Sequence, residues 1–89
     1  MTDQNPEHKQ KGMIELRLYI NLARYGPTQN SFFSVEIDAE ETPENLIDRL
    51  KIPLEEVGIV VINEQLVKDY HTPLKPGDRV KMFGLVGGG

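Results

Sequence analysis

The sequence predicts an α+β domain, and three observations predict it. Apolar and polar residues alternate near both ends of the chain, and the spacing turns helical only once, over residues 42–50. Between these segments fall the pairs Gly26-Pro27 and Pro76-Gly77, which punctuate rather than continue regular structure. Strands first and last with one helix between them suit a mixed sheet that wraps one face around that helix.

The elements follow in order. Residues 1–12 are polar, mixed in charge and closed by Gly12, and read as a flexible tail ahead of a domain over residues 13–83. From Met13, the even positions Ile14, Leu16, Leu18, Ile20 and Leu22 alternate with Glu15, Arg17, Tyr19 and Asn21, the period-two pattern of a half-buried strand with its even side on the core. "ARYGPTQN" reads as a hairpin-style connection, after which Phe33, Val35 and Ile37 mark a second, antiparallel strand. Leu46, Ile47 and Leu50 then share a helical face; Thr42 fits the N-cap, Pro43 the first helical position, and Glu40, Glu41 and Glu44 the positive end of the helix dipole. Pro53 bounds the helix. "VGIVVINEQLV" predicts a strand covered on both faces, a three-residue turn and a short return strand at Leu66 and Val67. Pro76-Gly77 predicts a turn into a last strand, residues 79–83. The order is β-β-α-β-β-β, and pairing of the first and last strands at the sheet centre would make them parallel, the β-grasp arrangement. Leu16, Leu18, Phe33, Val35, Leu46, Leu50, Val61 and Val80 are the expected core.

Composition narrows the function classes. A chain of 89 residues forms one small domain with little room for a deep, self-contained active site. There is no cysteine, which removes disulfides, thiolate metal sites and a cysteine nucleophile. No apolar run is long enough for a signal peptide or a membrane span, so the expected location is the cytoplasm, without a membrane partner. A net charge of −4 argues against nucleic acid and favours a basic protein surface as partner. His8 and His71 have no second histidine or cysteine at ligand spacing, so no metal site is expected. The acidic run "DAEETPE" is accounted for by the helix dipole and solvation, and Ser31 and Ser34 have no base nearby in sequence.

The chain ends in "FGLVGGG", and residues 84–89 read as a second flexible tail. A glycine run alone reads as a frayed end. This one follows a strand, and six residues extend roughly 20 Å, enough to enter the active site of another protein. A glycine carboxylate has no side chain beside it, so a narrow channel admits the backbone and a nucleophile reaches the carbonyl unhindered. The carboxylate is a poor electrophile until it carries a leaving group. Transfer of AMP from ATP supplies one, and a sulfide donor that then displaces AMP leaves a thiocarboxylate.

With "VVINEQLV", "TPLKPGDRVKMF" and the terminal "VGGG" in this order, residues 13–89 resemble the MoaD/ThiS family of ubiquitin-like sulfur carriers, the molybdopterin-synthase small subunits and thiamine-pathway carriers. The most specific part is Gly77-Asp78-x-Val80 followed at close range by the terminal glycines. Asn63-Glu64 stands where an Asn-Gly turn is usual and predicts a turn of different shape. "FGLV" is closer to thiamine-type endings and "LRLYINLARYG" to molybdopterin-type starts, so both pathways remain open. The resemblance implies a carrier rather than an enzyme, with no bound cofactor, ATP and a sulfur donor being used at the partner. Gly89 would be adenylated and thiocarboxylated, with Gly88 beside it. The implied partners are an E1-like adenylating enzyme and a downstream sulfur-accepting synthase, the free chain being a monomer. A ubiquitin-like protein modifier and a β-grasp interaction domain with an idle tail are the alternatives; a chain ending at Gly89 favours the carrier or the modifier, since neither then needs processing.

The β-grasp order also predicts a docking face. Arg17, Tyr19, Phe32, Lys81 and Phe83 would project opposite the helix, and with Leu85 and Gly87 of the tail they form the expected partner-binding set, because interfaces favour Tyr, Phe and Arg as anchors.

Overall fold

The computed structural model describes residues 12–27 and 31–85. Of the tail expected over residues 1–12 only Gly12 is described, and it opens the first strand rather than ending a tail; residues 1–11 and Val86, Gly87, Gly88 and Gly89 lie outside the described residues. Strand β1 (Gly12–Tyr19) pairs antiparallel with β2 (Phe33–Ile37), the first structural consequence of the alternation read from the sequence. The sheet is completed by β3 (Val57–Ile62), β4 (Gln65–Val67) and β5 (Arg79–Gly84) in the order β2-β1-β5-β3-β4. β1 and β5 are parallel neighbours at the centre, and β3 pairs antiparallel with both β5 and β4. With helix α1 (Pro43–Arg49) packed on one face, the fold is a ubiquitin-like β-grasp.

The helix is specified at both ends. Thr42 Oγ1 accepts from Asn45 N–H at 3.1 Å while Asn45 Oδ1 accepts from Thr42 N–H at 3.3 Å, and Pro43 stands in the first turn. At the other end Lys51 N–H reaches Asp48 O and Ile52 N–H reaches Ile47 O, a Schellman closure with Lys51 at φ 63 where glycine is the usual choice. Glu41 is not a solvated member of the acidic run. It is buried, takes the Asp38 N–H at 2.9 Å and pairs with Arg49 at 3.0 Å.

Leu16, Leu18, Leu46 and Val80 are buried together, joined by Ile14, Leu22, Ile47, Val60 and Met82, while Phe33, Val35 and Leu50 are half-buried against this core. Three expectations need correction. β1 stops at Tyr19, because Ile20 takes φ 61 and opens a 3-10 helix, Ile20–Tyr25; Ile20 is therefore 51% exposed, and Leu22 reaches the core by helical rather than strand geometry. β3 is not covered on both faces. Gly58 makes a bulge between the pairs Val57/Gly84 and Ile59/Phe83, so Val57 and Val60 turn inward while Val61 turns outward, opposite Lys81. Finally, the β3–β4 turn has two residues, not three. Asn63 and Glu64 sit at φ 51 and 70, the left-handed pairing of a type I′ hairpin, so glutamate occupies glycine's place with the turn shape kept.

The Pro76-Gly77 turn forms as expected, with Asp78 N–H to Lys75 O at 3.0 Å and Gly77 at φ 90. No helix among the described residues is long and apolar enough to cross a membrane.

Candidate functional site

Outward positions of the central strands alternate with the core residues, so β1 offers Glu15, Arg17 and Tyr19 and β5 offers Arg79, Lys81 and Phe83 to the face opposite α1. Parallel register sets Tyr19 beside Phe83 and Arg17 beside Lys81. The two rings stack with centroids 4.3 Å apart and planes 15° from parallel, and the Arg17 guanidinium lies 4.6 Å from the Tyr19 centroid. Phe32 precedes β2, and its ring carries the Arg79 guanidinium at 4.8 Å. Thus all five residues expected on this face stand among the described residues, joined by ring stacking, cation–π contacts and register. Arg79 was missed by the sequence reading, although its parity with Lys81 and Phe83 signals it.

The face extends further than expected. Because of the Gly58 bulge, Ile59 and Val61 point outward from β3, and Leu66 of β4 lies opposite Val61. Ile59 is 47% and Leu66 59% exposed. Their outward direction is hidden in the sequence, where β3 is an unbroken apolar run without period.

The last described residues leave the sheet beside this face. Gly84 is buried, and a Cβ there would meet Leu22 Cγ at 3.3 Å, so glycine lets the chain pass under the 3-10 helix. Leu85 follows, exposed, its N–H bonded to Glu56 O at 3.1 Å and its side chain against Gly58. Around this exit Glu56 Oε1 accepts from Arg24 and from the Tyr25 hydroxyl, both at 3.1 Å.

Elsewhere the arrangement offers little chemistry. His71 stands between Glu44 at 2.6 Å and Asp69 at 3.4 Å, and among the described residues no group of three or more His, Asp or Glu side chains is placed to hold a metal ion. A depression of about 440 Å³ beside α1 is lined by Glu44, Asp48, Ile52 and Leu54.

Comparison with known proteins places the fold in one class, the ubiquitin-like proteins of β-grasp architecture. The ThiS family model matches residues 27–89, and the chain belongs to the ThiS family. Among solved structures, the Haloferax volcanii HVO 2177 protein is similar over 98% of this chain and 92% of its own, with a TM-score of 0.71 and 18% identity. A complex of subunits 1 and 2 of the molybdopterin-converting factor from Helicobacter pylori contains a chain 26% identical, with a TM-score of 0.53, covering 86% of this chain and 99% of that one. A ubiquitin-like protein from Trypanosoma brucei shares the fold at 13% identity and a TM-score of 0.53, over 82% and 93% of the two chains. No curated protein sequence matches the chain.

Proposed function

We propose that this protein is a sulfur carrier whose C-terminal Gly89 is the working group. An E1-like adenylating enzyme transfers AMP from ATP to the Gly89 carboxylate with release of pyrophosphate; a sulfide donor displaces AMP, and the resulting thiocarboxylate gives its sulfur to a synthase in molybdopterin or thiamine biosynthesis. The chain acts as a co-substrate rather than an enzyme and binds no cofactor of its own. One observation carries the reading: the ThiS family match runs through the terminal glycines, and β5, the strand that precedes them, carries part of an aromatic and cationic face. The two-subunit molybdopterin-converting factor, one chain of which is similar to this one, supports a partner subunit here. On this reading Arg17, Tyr19, Phe32, Lys81, Phe83 and Leu85 dock the adenylating enzyme and later the sulfur acceptor, so the two compete for one surface, and Gly87 and Gly88 thread the channel. Mass spectrometry of the protein from its own cells tests the chemistry. Replacement of one terminal oxygen by sulfur supports the carrier; lysine-linked conjugates, or a terminus unmodified under every condition, overturn it.

A further inference from the structure

The three cations of the outer face are not equivalent. Arg79 has Glu15 at 3.6 Å and Lys81 has Glu64 at 3.1 Å, so each is matched by a carboxylate of its own chain. Arg17 has no such partner among the described residues. Its guanidinium rests on the Tyr19 ring, and its Nε is shut off from solvent with no hydrogen-bond acceptor. A buried donor left unpaired is unfavourable. That penalty is removed by the arrival of a carboxylate. A side-on bidentate grip takes Nε and one Nη together, after a small shift of the covering side chains, and sets negative charge next to Lys81.

The surroundings say what carries that carboxylate. Tyr19, Phe83 and Val61 flank the two cations, with Ile59 and Leu66 exposed beyond them. A small free anion would leave this apolar collar wet, whereas a protein segment covers it. The net charge of −4 disfavours a broadly acidic partner. We infer that Arg17 selects a partner protein by a single Asp or Glu side chain set among apolar ones on an otherwise neutral or basic surface. The inference rests on the proposed reading that this face docks the adenylating enzyme, and adds the chemistry of the contact. A surface lacking that carboxylate would bury Arg17 still unpaired, so the residue rejects wrong partners as well as holding the right one.

Calorimetric binding of the chain to its cognate E1-like adenylating enzyme, without ATP, tests this with three variants. Arg17→Met keeps the apolar stem and removes the unpaired nitrogen, so it should unfold in urea at the wild-type concentration or above, yet bind at least about tenfold more weakly. Arg17→Glu should bind more weakly still, and reversal of one Asp or Glu of the enzyme to Arg should recover its binding. Arg17→Lys should fall between wild type and Arg17→Met. Binding of Arg17→Met within about twofold of wild type, or recovery of Arg17→Glu by no carboxylate reversal, overturns the inference. The carrier reading fails separately: a wild-type chain that binds through Arg17 but is never adenylated leaves the contact standing and removes the proposed chemistry.

Discussion

Asn63 donates its side-chain N–H to the Asp78 carboxylate at 2.8 Å, binding the β3–β4 turn to the turn that opens β5. The same asparagine accepts from Arg79 N–H at 3.0 Å, and the other Asp78 oxygen accepts from Lys75 N–H at 2.9 Å. Two side chains thus fix the start of the strand that carries the tail. This gives the Gly77-Asp78 pair a physical role: glycine supplies the left-handed turn and aspartate ties it down. Asn63→Ala removes both side-chain bonds and puts alanine at positive φ. It should cost about 1–3 kcal/mol by urea denaturation, and a loss below the error of the fit would mean that the tie is not formed in solution.

Among the residues at positive φ, Lys51 and Glu64 hold backbone conformations better suited to glycine. Lys51 at φ 63 closes α1 and is exposed, so Lys51→Gly should stabilise the domain by about 0.5–1 kcal/mol. Glu64→Gly relieves the same strain at φ 70 but gives up the contact with Lys81, so its gain should be smaller. Thermal and chemical unfolding of both variants measure the order.

Core truncations separate the two faces of the sheet. Leu46→Ala and Leu18→Ala should each cost about 2–5 kcal/mol, and Leu50→Ala less than either, since Leu50 is only half-buried. Val60→Ala should cost more than Val61→Ala, because the bulge at Gly58 turns Val61 outward. Equal costs at 60 and 61 would contradict the register of β3.

What was legible in the sequence follows from where the signals were local. The helix start at Thr42 and Pro43, the Pro76-Gly77 turn and the alternation of β1 and β5 are each written in adjacent residues, and the central pairing of first and last strands follows from the element order. The parity of β3 was not legible, since an apolar run has no period and a bulge at a glycine leaves no mark beyond the glycine itself. Nor was the end of β1, where Ile20 enters a left-handed conformation that its own β-branched side chain disfavours. The outward residues were therefore named on β1, β5 and just before β2, where alternation is clear, and missed on β3 and β4.

The proposed chemistry requires a free carboxylate on an unhindered backbone. Deleting Gly89, or adding one bulky residue after it, should abolish ATP–pyrophosphate exchange with the adenylating enzyme while leaving the urea midpoint unchanged. Undiminished exchange would remove Gly89 from the mechanism.

Phe83 stacks on Tyr19 at the edge of the exit, so Phe83→Ala should weaken binding to both the adenylating enzyme and the sulfur acceptor by more than about 1 kcal/mol. Competition titrations check the shared surface: the two partners should exclude one another, and tight simultaneous binding to one carrier would show separate sites.

The parallel pairing of β1 with β5 has a mechanical consequence. Tension applied between Gly12 and Leu85 pulls two neighbouring strands lengthwise in opposite directions, so the ladder from Glu15/Arg79 to Tyr19/Phe83 is loaded in shear and its hydrogen bonds resist together. Tension between Val57 and Val67 instead opens the β3–β4 hairpin bond by bond. Single-molecule stretching should therefore register a higher rupture force along the first axis than along the second. On the proposed reading, a pull on the end of the chain by a partner is thus borne across the middle of the sheet.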